Sequence, residues 1–173
     1  GVLIAMLGAM VYMAGLRPRY VLLIGVVALL VAALAVGSTQ YRRDRIATYL
    51  NPEQSCQTDQ GYQACQALIA VGSGGIAGLG LGNSIQAYGY LPEAQNDSIF
   101  AIYAEKFGFL GSMVLLVLFM TLFSRMRLII ERAPDTFSQL IVTGILAWFS
   151  TQAIINIGAM IGLLPLKGIT LPF

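Results

Sequence analysis

Residues 72–108 read GSGGIAGLGLGNSIQAYGYLPEAQNDSIFAIYAEKFG, and the rest of the chain is organised around this stretch. It opens on glycines, passes Tyr88, Tyr90 and Leu91-Pro92-Glu93, and reaches Asp97 where an apolar helical pattern begins. Glycine permits tight turns and lets helices approach closely. Irregular backbone at membrane depth is tolerated only when it is buried in protein or lines a cavity. Between apolar segments, the run therefore predicts a cavity wall with a carboxylate at its edge. It lacks the Gly-Lys-Ser/Thr of a nucleotide loop, and no alternating strand and helix pattern surrounds it, which argues against phosphate-loop chemistry.

Working outward, 57% of the 173 residues are hydrophobic and 10% are charged, where soluble domains carry roughly a quarter charged. With a mean hydropathy of +0.76 this is the composition of an integral membrane protein. The spacing predicts an all-α, polytopic helical fold with about four transmembrane helices. The expected spans are 1–16, 20–37, 99–124 and 140–164, in a single membrane domain over 1–173. The segment 38–98 is then a large extracytoplasmic loop holding short or re-entrant helices. Leu164-Pro165 is expected to stop the last span, and Thr136 and Gln139 have capping-box spacing at its start. The chain opens inside an apolar run and closes on Leu171-Pro172-Phe173, which reads as a segment of a longer protein.

Arg17 and Arg19 lie in one short loop, and Arg125, Arg127 and Arg132 in another on the same side, so the positive-inside rule makes that side cytoplasmic. Arg42, Arg43, Arg45 and Lys167 fall outside, against the usual bias. Such cations suit lipid head groups, or a pyrophosphate held by the arginine fork. There is no histidine, which excludes Ser-His-Asp and Cys-His catalysis and leaves acid–base work to Asp, Glu, Lys, Tyr or water. Cys56 and Cys65 are too few for a zinc site. Their C-x8-C spacing in an oxidising compartment is compatible with a disulfide and equally with two free thiols.

Asp97 has two readings. With Asn96 and Ser98 it suits a helix N-cap. Among Tyr90, Leu91, Ile99 and Phe100 it also suits a partly desolvated general base. Glu93 follows a proline and alone reads as a solvated loop residue. Glu105 stands eight residues on, about 80° around a helix from Asp97, and reads as structural. Gln152 and Asn156, four apart, share a helix face and suit interhelical hydrogen bonds or a site within the spans.

Taken in order, Arg45-Ile46, Leu50-Asn51-Pro52, GYQACQALIAVGSGGIAGLGLGNS, GYLPEAQNDSIFA, Gln152 with Asn156-Ile157-Gly158, and GLLPLKGITLPF resemble the SEDS proteins of shape, elongation, division and sporulation. The resemblance is closer to the FtsW type than to the RodA type, and is firmest over residues 41–173. The order of the motifs is specific, although none is specific alone. The resemblance implies a peptidoglycan glycosyltransferase that polymerises lipid II on the outer face of the bacterial cytoplasmic membrane. It implies multiple passes, a class B penicillin-binding protein transpeptidase as partner, and other membrane proteins of the division or elongation machinery. Nucleic acid has no place in it.

The family's essential acidic residue falls on Asp97, the acidic residue of its Leu-Pro-Glu motif on Glu93, and its basic residue before the last span on Lys167. Arg45, Gln152 and Asn156 join Glu93 and Lys167 as expected substrate-binding residues. The sequence holds no dedicated metal cage, and a divalent Mg or Mn ion is expected only as a bridge between pyrophosphate and Asp97. Two departures stand out. The family usually reads His-Thr-Asp-Phe where this chain reads Gln95-Asn96-Asp97-Ser98. It usually reads Glu-Glu-Leu-Gly where this chain reads Glu105-Lys106-Phe107-Gly108. A lipid or solute transporter and a non-catalytic scaffold for the transpeptidase are the alternatives.

Overall fold

The computed structural model describes residues 1–37, 56, 59–86, 96–165 and 168–172. All regular elements among them are helical: α1 is Val2–Met13, α2 Pro18–Gly37, α3 Asp59–Ser73, α4 Ile99–Arg132 and α5 Thr136–Met160. Arg45, Glu93 and Lys167 lie outside the described residues.

Among the described residues, α4 and α5 are long and apolar enough to cross a membrane. Only 11% and 22% of their most apolar windows is buried. A soluble core helix would show the reverse, so these side chains need lipid as their solvent.

The chain divides into two compact units, Gly1–Arg42 with Phe119–Thr151, and Arg43–Leu118 with Gln152–Phe173. In the first unit α1 ends in a turn at Ala14–Gly15, and α2 begins at Pro18, a residue preorganised for a first helical turn. Gly144 of α5 faces Met6 and Met10 of α1, and a Cβ there would stand 3.1 Å from Met10 Sδ. A small residue lets the methionines close on the helix. The start of α5 differs from the capping-box expectation. The cap is Asp135, whose carboxylate accepts from the Ser138 backbone N–H at 2.8 Å and the Ser138 hydroxyl at 2.9 Å. Those two bonds hold the Asp135 carboxyl below its ordinary value. A carboxylate at the positive end of a helix satisfies orphan donors that a threonine one position later does not reach.

The second unit contains α3 and residues 99–118 of α4. The segment from Ile99 is not one straight helix: Gly108 has φ 66 and ψ −162, so Ile99–Phe107 and Phe109–Arg132 are two helices meeting at a break. Residues 109–132 alone are about 36 Å long, enough for a bilayer core.

A break exposes backbone groups that hydrocarbon cannot satisfy. The glycine-rich run supplies the partners. The carbonyls of Glu105 and Lys106 accept from the N–H groups of Leu79 at 2.9 Å and Gly80 at 3.0 Å. The N–H groups of Phe109 and Leu110 donate to the carbonyls of Gly75 at 2.9 Å and Ile76 at 3.1 Å. Close approach demands glycine here, since a Cβ on Gly74 or Gly78 would run into the carbonyl oxygens of Ala104 and Lys106. Across the break the Tyr103 hydroxyl donates to the Gly111 carbonyl at 3.2 Å, and the Ser112 hydroxyl to the Gly108 carbonyl at 2.9 Å.

In the second unit α5 ends at Met160. Gly162, at φ 76, closes it, with Leu163 and Leu164 N–H groups donating to the Gly158 carbonyl at 2.8 and 3.0 Å. The stop is thus a left-handed glycine before Leu164-Pro165 is reached. Leu68 of α3 lies over Gly162, where a Cβ would stand 3.1 Å from its Cδ2.

Candidate functional site

The first piece of α4, residues 99–107, is a platform with a carboxylate at each end. Asp97 lies two residues before its first turn and Glu105 near its last. Their environments assign them different work.

Glu105 is 1% exposed. Its Oε2 accepts from the Ser84 hydroxyl at 2.6 Å, and its Oε1 from the Ile85 and Gln86 N–H groups at 2.9 and 3.1 Å. A buried carboxylate is tolerated only when its lone pairs are filled, and three donors do that. Glu105 fastens the loop after the glycine run onto the platform. This is the structural role expected of it, achieved through a loop rather than an ion pair.

Asp97 is half-buried and lies in the turn 96–98. Ser98, completely buried, supplies the carbonyl that opens the helix, accepting from the Ala101 and Ile102 N–H groups at 3.0 and 3.3 Å. Gln63 of α3 donates to the Ser98 hydroxyl at 3.3 Å. The turn is therefore braced from α3.

It is held more firmly from α5. Asn156, 2% exposed, donates through Nδ2 to the Asp97 carbonyl and to the Ile169 carbonyl, both at 2.7 Å. One side-chain amide thus joins residues 59 apart and 13 apart in sequence. The staple brings the Asp97 carboxylate against the backbone of Gly168, where a Cβ would stand 2.8 Å from Asp97 Oδ2. Lys167 is the covalent neighbour of Gly168. Gln152 is half-buried one turn before Asn156 on α5. Of the sequence candidates, Asp97 and Asn156 are brought together here. Asn156 does so with both N–H donors spent on backbone carbonyls.

Two participants were missed in the sequence: Gly168, and Ser84 as the partner of Glu105. Gly168 carried a signal, since it sits in the motif GLLPLKGITLPF beside Lys167. Ser84 carried none, because a serine after a glycine run is ordinary in a loop.

Residues 1–173 match the FtsW/RodA/SpoVE family of cell cycle proteins. The chain belongs to that family. It is 43% identical over 164 residues to the stage V sporulation protein E of Bacillus subtilis, covering 95% of this chain and 44% of that protein. It is 45% identical over 170 residues to the probable peptidoglycan glycosyltransferase FtsW of Coxiella burnetii, again covering 95% of this chain and 45% of the relative. The fold is similar to one chain of a solved peptidoglycan synthase complex that coordinates polymerization and crosslinking. The TM-score is 0.74 at 25% identity, over 99% of this chain and 47% of that one. This FtsW/RodA/SpoVE chain therefore spans less than half the length of the relatives it matches, and it is a membrane protein of all-helical fold.

Proposed function

We propose that the protein to which this chain contributes is a peptidoglycan glycosyltransferase that polymerises lipid II, with Asp97 as its general base. The observation that carries this reading is the placement of the Asp97 carboxylate. It sits on a turn pinned from two other elements and directly against the backbone next to Lys167. Positioned proton acceptors accelerate reactions by about 10²–10⁴-fold. The names borne by the relatives support the reaction class.

In this reading Asp97 takes the proton from a sugar hydroxyl of the acceptor. The freed oxygen forms a bond to the anomeric carbon of the donor, and the bond from that carbon to the undecaprenyl pyrophosphate breaks. The leaving group carries the electron pair away, and Lys167 with Arg45 stabilises the charge growing on it. Glu93 completes the substrate contacts, and Gln152 lies one turn from the staple. Among the described residues no three metal-ligating side chains come together. A divalent Mg or Mn ion would therefore rest on Asp97 and the substrate's own pyrophosphate. The chain crosses the bacterial cytoplasmic membrane several times, with this site on the extracytoplasmic face. Its partner is a class B penicillin-binding protein transpeptidase, a reading supported by the similarity to one chain of a peptidoglycan synthase complex that coordinates polymerization and crosslinking.

Transport is the competing reading, because transporters also break helices at membrane depth. There the broken ends bind cargo. Here the Glu105, Lys106, Phe109 and Leu110 backbone groups at the break are taken by the glycine run, which disfavours cargo binding at that point.

The test is polymerisation of labelled lipid II by the full-length protein with its transpeptidase, comparing wild type with Asp97→Asn. Asparagine keeps the size and the capping ability but cannot act as a base. Loss of glycan strands from a folded, partner-bound variant supports the proposal. Normal strands from Asp97→Asn would sink it.

A further inference from the structure

We infer that Asn156 and Gly168 form a positioning device for the Asp97 carboxylate; this rests on the reading of Asp97 as the base. Asn156 is almost fully buried, yet its side chain does not pair with another side chain. It spends both N–H donors on main-chain carbonyls of two segments remote in sequence. Among the described residues its buried Oδ1 has no hydrogen-bond partner. Leaving a buried acceptor unpaired is costly, so this geometry holds the donors in place at the acceptor's expense. A residue selected for helix packing alone would not need to be asparagine there.

What the staple fixes is the register between the turn at 96–98 and the strip 168–171. Gly168 completes the arrangement. Its backbone lies outside the left-handed region, so alanine is conformationally acceptable at that position. Among the described residues, the Asp97 carboxylate is what opposes a Cβ there, with Oδ2 at 2.8 Å and Cγ at 3.8 Å. A methyl group at 168 would stand too close to Oδ2 for both to stay in place, so the Asp97 carboxylate, the far end of its side chain, has to shift. Asn156 sets where the Asp97 backbone sits, and Gly168 sets how close its carboxylate comes to the segment carrying Lys167. Displacing a reacting group by about 1 Å costs on the order of a hundredfold in rate.

The experiment uses full-length protein with its transpeptidase and labelled lipid II. It measures kcat, KM and the pH profile of kcat for wild type, Asp97→Asn, Asn156→Leu and Gly168→Ala, with a melting curve for each. Asn156→Leu keeps the branched shape and the number of heavy atoms and removes both donors. For both positioning variants the expected result has three parts. The kcat falls by about tenfold or more, KM stays within about twofold, and the acid limb of the kcat profile moves by about half a pH unit or more. A merely structural residue lowers the folded fraction and leaves the limb where it was. If Asn156→Leu does not fold, Gly168→Ala decides alone, because it leaves the staple intact. Wild-type kcat and an unmoved limb in Gly168→Ala, with Asp97→Asn inactive, overturn this inference and leave the proposed function standing. A fully active Asp97→Asn overturns both.

Discussion

Replacing Gly108 with alanine tests the break in α4 most directly. Gly108 has φ 66 and ψ −162. That region is essentially reserved for glycine, and forcing another residue into it costs about 1–3 kcal/mol. The Cβ would also collide with the Gly78 nitrogen, and lie 2.7 Å from the Ile76 carbonyl oxygen and 2.8 Å from the Ala77 carbonyl carbon. These are backbone atoms with no flexible end to swing away, so the glycine run must retreat. It is held there by four backbone hydrogen bonds of 2.9–3.1 Å. Each contributes about 0.5–1.5 kcal/mol net. Losing half of them on top of the conformational cost gives a destabilisation of about 2–6 kcal/mol. A straight helix predicts the opposite sign, because glycine to alanine in a helix interior gains about 0.5–1 kcal/mol. Gly72→Ala in α3 is the control: its Cβ would meet nothing within 4 Å. Thermal unfolding of the full-length protein in detergent separates the cases. Gly108→Ala should melt well below wild type and Gly72→Ala at or above it. A Gly108→Ala protein as stable as wild type would refute the break and the clasp together.

Glu105→Ala should destabilise by roughly 2–4 kcal/mol, because it leaves the buried Ser84 hydroxyl and the Ile85 and Gln86 N–H groups without their acceptor; melting curves check this, and Ser84→Ala should cost less. Cys56 and Cys65 are joined in a disulfide across a sequence separation of 9. Alkylation without reductant should label neither thiol, and Cys56→Ser with Cys65→Ser should lose about 2–3 kcal/mol on the loop-entropy model. The Asp135 cap is strongest when its carboxylate is charged. Since its folded pKa is lowered, its contribution is complete above the ordinary value of 3.8 and is lost as the pH falls below it. Wild type and Asp135→Ala should therefore differ in melting temperature at neutral pH and converge on acidification.

The sequence by itself determined the class of molecule. Long uncharged runs cannot be hidden inside so small a chain, so helices in lipid follow from composition alone. It also marked Asp97, because a carboxylate at the mouth of an apolar helix beside a glycine run is chemically unusual, and the ordered motifs carried the family resemblance. The disulfide stayed open there, since spacing alone does not say whether two thiols meet. Tertiary structure decided the rest. Gly108 lies inside an apolar periodic run, and only the docking of residues 74–80 makes its left-handed break affordable by filling the freed backbone groups. Asn156 reads as a polar residue on a helix face, and nothing local tells whether its amide will face a substrate or a main chain. The fold answers that by bringing the carbonyls of Asp97 and Ile169 to one point. Hydrophobic periodicity is a local signal, whereas the pairing of buried donors with distant carbonyls depends on contacts that form only when the chain is folded.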